Sequence, residues 1–292
     1  MNTLRIAKLT FREALRRKAL YGALALTVAF LGLYAWGTAV AIEEINRLYA
    51  PGGLARIVRQ AGVDLRPIAI GELLLAGLFA VSNIAGLLAI FTAAGTIAQE
   101  IEQGTLHSIV PKPVARWQIV VGKWLGGSAM VAAYLVLTSL ATVAIVYQRS
   151  GYLPAQLPAG LLLFALRAVL LFTVTLVGSA LAPAVATGIA MFIVYVAANV
   201  AGMVEQIGVA LNIETMVRIG VIASLVLPSD ALWKMGAFAV QPPNPLPALG
   251  LKITLGPFGV VDPPSIWMGA YAVAYLLLAL GAAIAIFSRR DL

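Results

Sequence analysis

The sequence predicts an all-α polytopic membrane protein with six transmembrane helices. Six long apolar stretches are the main observation, at residues 20–42, 71–98, 118–147, 159–182, 185–204 and 266–287. Each reaches the ~20 residues that a helix needs to cross a hydrocarbon core of ~30 Å. The composition agrees, because 61% of the 292 residues are hydrophobic and 11% are charged, against ~25% charged in a soluble domain. Backbone groups in lipid must be paired within the chain, so these stretches are interpreted as helices.

Residues 1–19 are predicted to form an interfacial helix on the membrane surface. At 100° per residue, one stripe of this helix is basic and the neighbouring arc is apolar, the pattern of an interfacial amphipathic helix. A plain positively charged anchor is the alternative. The basic stripe holds Arg5, Lys8, Arg12 and Arg16, and the apolar arc holds Leu4, Ala7, Phe11, Ala14 and Leu15, with Ile6 and Leu9 outside it.

Positive charge is concentrated in three segments that six spans place on one side of the membrane. These are the N-terminal segment, residues 99–117 with the start of span three, and the C-terminal end with Arg289 and Arg290. The positive-inside rule makes this side cytoplasmic. We therefore expect a multi-pass protein of the cell (inner or plasma) membrane with both termini in the cytoplasm. Membrane lipid, and no nucleic acid, is the expected partner of these charges.

Three polar residues lie within the apolar stretches: Asn83 in span two, Arg167 in span four and Asn199 in span five. A charged group at such depth is costly and usually faces protein or water. These residues are therefore candidates for a substrate path. The alternatives are that Arg167 is a structural arginine, paired with Glu72, and that the two asparagines form hydrogen bonds between helices.

Residues 205–265 are predicted to form an external loop with short helices. Eight of the fifteen prolines lie between residues 228 and 264, which rules out a continuous helix there. The apolar run 217–227 is too short to span and predicts a re-entrant or interfacial helix packed on the outer face. The segment LPSDALWKMGAFAV predicts a second short helix, capped by Ser229 or Asp230. A seventh span over 208–227 is the alternative, but it would place Arg289 and Arg290 outside.

The sequence also argues against several kinds of site. Cysteine is absent and His107 is the only histidine, so we expect no metal site and no disulfide. The phosphate-binding pattern G-x-x-x-x-G-K-[S/T] is missing, because Gly122-Lys123 is preceded by Trp117 five residues before Gly122 and followed by Trp124. We therefore expect no catalytic residue and no cofactor in this chain.

The most informative segment is the polar connection between spans two and three, residues 99–117. Gly104-Thr105 break the chain direction after the end of span two, and residues 106–110 can form one or two helical turns. Pro111 and Pro113 then end this short helix, because proline lacks an N–H and disfavours α conformation in the residue before it. A short rigid helix between two spans would let a partner's motion tilt both spans. An ordinary hairpin turn is the alternative.

Residues 97–123 resemble the signature of type-2 ATP-binding-cassette (ABC) permeases, I-x-x-E-x-x-x-G-T-L-x-x-L-L-x-x-P-V-x-R-x-x-I-x-x-G-K. Ile109-Val110 stand where paired leucines are usual. The start KLTFREALRRK and the end FSRRDL are similar to those of the family, and LPSDALW is similar to the outer segment of NosY-like permeases. The matching residues are Ile97, Glu100, Gly104, Thr105, Leu106, Pro113, Val114, Arg116, Ile119, Gly122 and Lys123.

This resemblance implies one transmembrane permease domain over residues 1–292, belonging to an ABC exporter and working as a homodimer. ATP and Mg would be bound by a separate cytoplasmic ATPase, present in two copies. Residues 102–113 would form a coupling helix docked in that ATPase, and Arg116 and Lys123 would hold the loop to the N-terminal helix or to lipid phosphates. The implied coupling residues are Glu100, Glu102, Gly104, Thr105, Leu106, His107, Ile109, Pro111, Pro113, Arg116 and Lys123.

Two other classes stay open at this point. One is a stand-alone secondary transporter or channel, which would need ionisable residues along a path through the membrane. The other is a membrane scaffold without transport, which would not require the 99–123 signature.

Overall fold

The computed structural model describes residues 3–16, 18–48, 65–102, 115–243, 257–260 and 264–289. Within these ranges the regular structure is entirely helical and comprises nine helices. They are α1 (Thr3–Ala14), α2 (Lys18–Leu48), α3 (Arg66–Glu102), α4 (Arg116–Ser150), α5 (Leu157–Leu181), α6 (Ala184–Leu211), α7 (Glu214–Val226), α8 (Ser229–Val240) and α9 (Ile266–Arg289).

Six of the described helices are long and apolar enough to cross a membrane, which confirms the six predicted spans. They are α2, α3, α4, α5, α6 and α9. Several extend beyond the apolar stretch, because polar residues continue the helix into the interface. Helix α2, for example, ends in a polar turn in which Arg47 lies 2.7 Å from Glu43. Helix α6 likewise runs on to Leu211, so its last turns cover the start of the predicted external loop.

Helix α3 is the centre of the bundle. It packs against α2, α4, α5 and α6, and Leu74, Leu78 and Ala85 on it are completely buried. Helices α2, α6 and α9 form the periphery and present large apolar side chains outward, such as Trp36, Ile193 and Leu278. An apolar outer surface is what a bilayer requires, because lipid chains offer no partner for polar groups.

The N-terminal helix α1 packs along the first turns of α4. The contact is close because two glycines of α4 lack side chains: Gly122 lies against Thr3 and Ile6, and Gly126 lies against Ala7, Thr10 and Phe11. Ile6 is therefore buried, although the sequence placed it off the apolar arc. Leu4 and Leu15, which the sequence placed on that arc, are exposed. The face of α1 that packs on α4 is set by the glycines of α4 and is rotated from the apolar arc, so Leu4 and Leu15 lie outside this contact.

We expect Gly126→Ala to loosen α1 from α4. A methyl group at this position would lie 2.9 Å from the backbone nitrogen of Phe11, so the α1 backbone must shift. Overpacking of this kind costs about 1–3 kcal/mol. The measurement is protease cleavage of α1 in detergent, which should become faster. Gly32→Ala on α2 is the control, because nothing lies within 4 Å of that position. Equal cleavage of both variants would contradict this packing.

Helices α7 and α8 form a pair bent by 106° at residues 227–228, which is named the re-entrant hairpin after the sequence expectation. Helix α7 runs back along the end of α6, where Gly208 faces Met216 and Gly220 faces Glu205. Helix α8 then packs against α5, where the rings of Trp233 and Phe164 stack at 5.0 Å. This confirms the two short helices that the sequence predicted, and their bend is that of a re-entrant loop or of a broken span.

One detail of this region differs from the sequence expectations. The N-cap of α8 is Pro228, without a side-chain cap, whereas Ser229 and Asp230 are already helical and face the interior. Helix α8 packs within the bundle, with Leu232 and Trp233 buried. Its charged residues Asp230 and Lys234 pair with each other, and this makes their burial tolerable.

The last carbonyl groups of α7 accept hydrogen bonds from tyrosines of the last span, α9. The final carbonyl groups of a helix have no partner within the helix. Here Tyr271 donates a hydrogen bond to the carbonyl of Leu225 (2.6 Å), and Tyr275 donates to that of Val226 (3.0 Å). Unpaired backbone groups are costly in an apolar surrounding. These two hydroxyls therefore stabilise the C-terminal end of α7, next to its bend with α8.

Candidate functional site

The ends of α3 and α4 that flank residues 103–114 are joined by a buried lysine. The ammonium of Lys123 lies 2.5 Å from Oε1 of Glu100 and donates a hydrogen bond to the carbonyl of Thr96 (2.9 Å). Lys123 is buried while Glu100 is one-quarter exposed. The ion pair thus fixes the last turns of α3 against α4 immediately before the connection that links them.

Two further contacts tie this connection to other helices. Oε1 of Glu102 accepts a hydrogen bond from the backbone N–H of Ala184 (3.1 Å), the first residue of α6. A carboxylate at a helix N-terminus is favourable, because the first amides lack partners and the helix dipole is positive there. Arg116 donates to the carbonyl of Ser288 (3.0 Å) in the last turn of α9, where a cation is equally favourable.

These partners correct one expectation. Lys123 was expected to hold the loop to the N-terminal helix or to lipid phosphates, but it contacts Glu100 and Thr96. For Arg116, of which the same was expected, the structure adds a contact with Ser288. The reason is that neighbouring residues lie on different faces of α4: the side chain of Lys123 points toward α3, while Gly122 is the residue that meets α1. The other predicted coupling residues, Gly104, Thr105, Leu106, His107, Ile109, Pro111 and Pro113, lie outside the residues that the structure describes.

Deeper in the bundle, the three predicted intramembrane residues converge on one network. Arg167 of α5 is 1% exposed. It donates hydrogen bonds to the hydroxyl of Ser82 (2.7 Å), to Oδ1 of Asn199 (2.9 Å) and to the hydroxyl of Tyr195 (3.2 Å). Tyr195 in turn donates to Oδ1 of Asn83 (2.7 Å). The network therefore joins α3, α5 and α6.

The surroundings of Arg167 also include an aromatic ring of the re-entrant hairpin. Its guanidinium lies 5.8 Å from the ring of Trp233 on α8 and 5.5 Å from that of Tyr195. An aromatic face attracts a cation, more so where water is excluded. Arg167 bonds Ser82, Tyr195 and Asn199 rather than Glu72, which the sequence suggested. Ser82, Tyr195 and Trp233 were missed, because hydroxyl and aromatic residues are common in membrane helices and give no signal of their own.

We expect Arg167→Lys to destabilise the bundle even though the charge is kept. A lysine ammonium cannot reproduce the planar fork that reaches Ser82, Tyr195 and Asn199 together. Hydrogen bonds between membrane helices contribute about 0.6–1.7 kcal/mol each, so a loss of about 1–3 kcal/mol is expected. Thermal unfolding in detergent measures it, with the exposed Arg149→Lys as control. Equal stability of the two variants would contradict a structural role for the fork.

A second charged cluster lies where the re-entrant hairpin meets α6. The ammonium of Lys234 is 2.9 Å from Oε2 of Glu205 and 2.8 Å from Oδ2 of Asp230. Lys234 and Asp230 are buried, and Glu205 is about one-fifth exposed. Gly202 of α6 leaves room for the Asp230 carboxylate and Gly220 of α7 leaves room for Glu205. The cluster thereby connects α6, α7 and α8.

Comparison with known proteins bears on what these two regions do. The family model described as ABC-2 family transporter protein matches residues 4–239, which include both the junction of α3 with α4 and the Arg167 network. No curated protein matches the chain at a significant level. The family match covers well over half of the sequence. The chain therefore belongs to the ABC-2 family of transporters and is a multi-pass membrane subunit of such a transporter.

Proposed function

We propose that this chain is the permease of an ABC exporter and is moved by ATP hydrolysis in a separate cytoplasmic subunit. The observation that carries the proposal is the anchoring of the connection 103–114. It leaves α3 beside Glu102, which binds α6, and enters α4 beside Arg116, which binds α9. A force on this connection would therefore act on four spans together.

The partner that supplies the force is proposed to be an ABC ATPase in two copies, each binding ATP and Mg, on a homodimer of permeases. Residues 102–113 would dock in this ATPase as the coupling helix. The sequence supports a separate ATPase, because the chain carries no G-x-x-x-x-G-K-[S/T] motif of its own. The Glu100–Lys123 pair would keep α3 and α4 together when the connection moves.

The substrate path is proposed to open along the contact between α3, α5 and α6, where Asn83, Arg167 and Asn199 meet. Arg167 is enclosed in this conformation, so a substrate could reach it only after these helices separate. Its Nε is buried without a hydrogen-bond partner among the described residues, which leaves one donor for a ligand. The outward direction of transport and the likeness to NosY-like permeases remain part of the proposal, and the latter rests on the LPSDALW segment.

The proposed orientation has the termini and residues 99–117 in the cytoplasm and the α6–α7 turn outside. We expect a cysteine at Thr215 to be labelled from outside the cell and a cysteine at Lys8 only from the cytoplasm. Both positions are exposed and the chain has no natural cysteine. A cysteine at Ser229 should react from neither side, because Ser229 is fully buried. Labelling of Thr215 from the cytoplasm would reverse the orientation.

The test of the function is copurification from detergent followed by mass spectrometry. The proposal expects an ATP-binding subunit in about equal amounts with this chain, since each permease would hold one ATPase. A stand-alone secondary transporter or channel would purify alone and still conduct in proteoliposomes. A membrane scaffold would bring down other membrane proteins and show no transport.

A further inference from the structure

The hydroxyl group of Ser179 on α5 is bonded to the backbone of another helix. Its Oγ accepts hydrogen bonds from the N–H groups of Ile97 (3.1 Å) and Ala98 (3.0 Å) and donates one to the carbonyl of Ala94 (2.8 Å), all on α3. Ser179 is completely buried. One side chain therefore contacts three backbone groups of the central span.

The position of these backbone groups in α3 determines how the Ser179 hydroxyl can act on the helix. In an α-helix the N–H of residue 98 pairs with the carbonyl of residue 94, so Ser179 lies beside one hydrogen bond of the helical ladder. Opening that hydrogen bond in an apolar surrounding would leave two costly unpaired groups. The Ser179 hydroxyl already touches both and can serve as their substitute partner. Helices bend where a side chain enters the ladder in this way.

This point of α3 also lies at a boundary between two parts of the helix. Lys123 fixes Thr96, which lies between Ala94 and Ala98, and Glu100 in the following turn, and the helix ends at Glu102 beside the connection. Other hydroxyl residues of α5 behave differently, because Thr173 and Thr175 donate to carbonyls of their own helix. The bond to α3 is thus particular to Ser179 among these three.

We propose that Ser179 is a positioning residue that makes residues 94–98 the bending point of α3. Through this point, movement of the connection 103–114 would change the direction of the anchored end of α3 relative to its membrane-spanning part. The inference rests on the proposed function, in which a cytoplasmic ATPase moves the connection. Ser179 itself would contact neither substrate nor nucleotide.

The experiment measures spin-label distances in the complex with its ATPase, reconstituted in lipid nanodiscs. One sample carries labels at Gln99 and Leu153, and the other at Phe91 and Leu153; these three positions are exposed and the chain has no natural cysteine. Gln99 lies beyond the bending point and Phe91 before it. On addition of ATP and vanadate, the Gln99 distance should shift and the Phe91 distance should stay nearly constant.

Variants of α5 then separate the role of the hydroxyl from general packing. Ser179→Ala should reduce the shifted population roughly 2- to 10-fold, as expected when one net hydrogen bond of the bent state is lost. Ser179→Thr, which keeps a hydroxyl, should restore it. Thr175→Val is the control, because it removes a buried hydroxyl from the same helix that bonds only within that helix.

The outcomes distinguish this inference from the function on which it rests. A wild-type complex with no shift at either position contradicts the proposed function and the inference together. Equal shifts at Gln99 and Phe91, or a Ser179→Ala variant that shifts like Thr175→Val, overturn the role of Ser179 alone. If Ser179→Ala does not fold, the comparison of the two label positions in the wild type decides.

Discussion

Replacing Lys234 with methionine should destabilise the protein by about 3–5 kcal/mol, the cost of breaking a buried ion pair. The substitution keeps a long apolar side chain but removes the charge between Asp230 and Glu205. Two carboxylates would then be left close together with little solvent. The expected consequence is release of the re-entrant hairpin from α6. Urea or SDS unfolding in detergent, followed by tryptophan fluorescence, measures the loss.

An exposed ion pair on the neighbouring helix α7 provides a matched control. Arg218 and Glu214 on α7 also form an ion pair four residues apart, at 2.8 Å, but both side chains are more than two-thirds exposed. Arg218→Met should therefore cost about 0–1 kcal/mol, the usual value for surface pairs. Adding Asp230→Asn to Lys234→Met should recover part of the stability, because it removes the repulsion between the carboxylates. Similar small losses for both methionine variants would contradict the account of this cluster.

The second large effect is expected at the proposed coupling helix. Leu106→Asp or Ile109→Asp would put an unpaired charge into a largely apolar contact with the ATPase. Such burial costs at least about 3 kcal/mol, which is roughly a hundredfold in affinity. We expect the ATPase to be lost in a pull-down while the permease still inserts and folds.

Two controls make this prediction specific. Leu106→Asn has nearly the same shape as Leu106→Asp without the charge, so it should weaken binding less. Glu102→Ala removes an exposed contact with the α6 N-terminus, which contributes about 1 kcal/mol or less. If both aspartate variants bind and couple like the wild type, residues 104–110 are only a turn between two spans.

The sequence predicted the spans because their signal is strong and local. Twenty consecutive apolar residues can hardly be anything but a membrane helix, and the proline-rich stretch after residue 228 excluded a continuous helix there. The polar residues within spans were equally visible. Asn83, Arg167 and Asn199 stand out because little else there is polar, and the structure brings them into one network.

The contacts between helices could not be predicted in the same way. Glu100 and Lys123 were both singled out, but their pairing depends on the rotation of α3 relative to α4, which no local pattern encodes. Ser179 was missed because a single serine in an apolar helix resembles many others. The burial of Asp230 and Lys234 was unexpected, since a polar turn of a short helix normally faces water. Only their three-dimensional arrangement with Glu205 makes the interior position favourable.

The central claim is that this chain converts the work of a separate ATPase into movement of its spans. The most direct measurement compares ATP turnover by the purified chain with turnover by the complex, both in nanodiscs with Mg and ATP. The account predicts no turnover above background by the chain alone and clear turnover by the complex. That turnover should be lost when Leu106→Asp prevents assembly and the chain is repurified. Robust ATP hydrolysis by the chain alone would contradict the account.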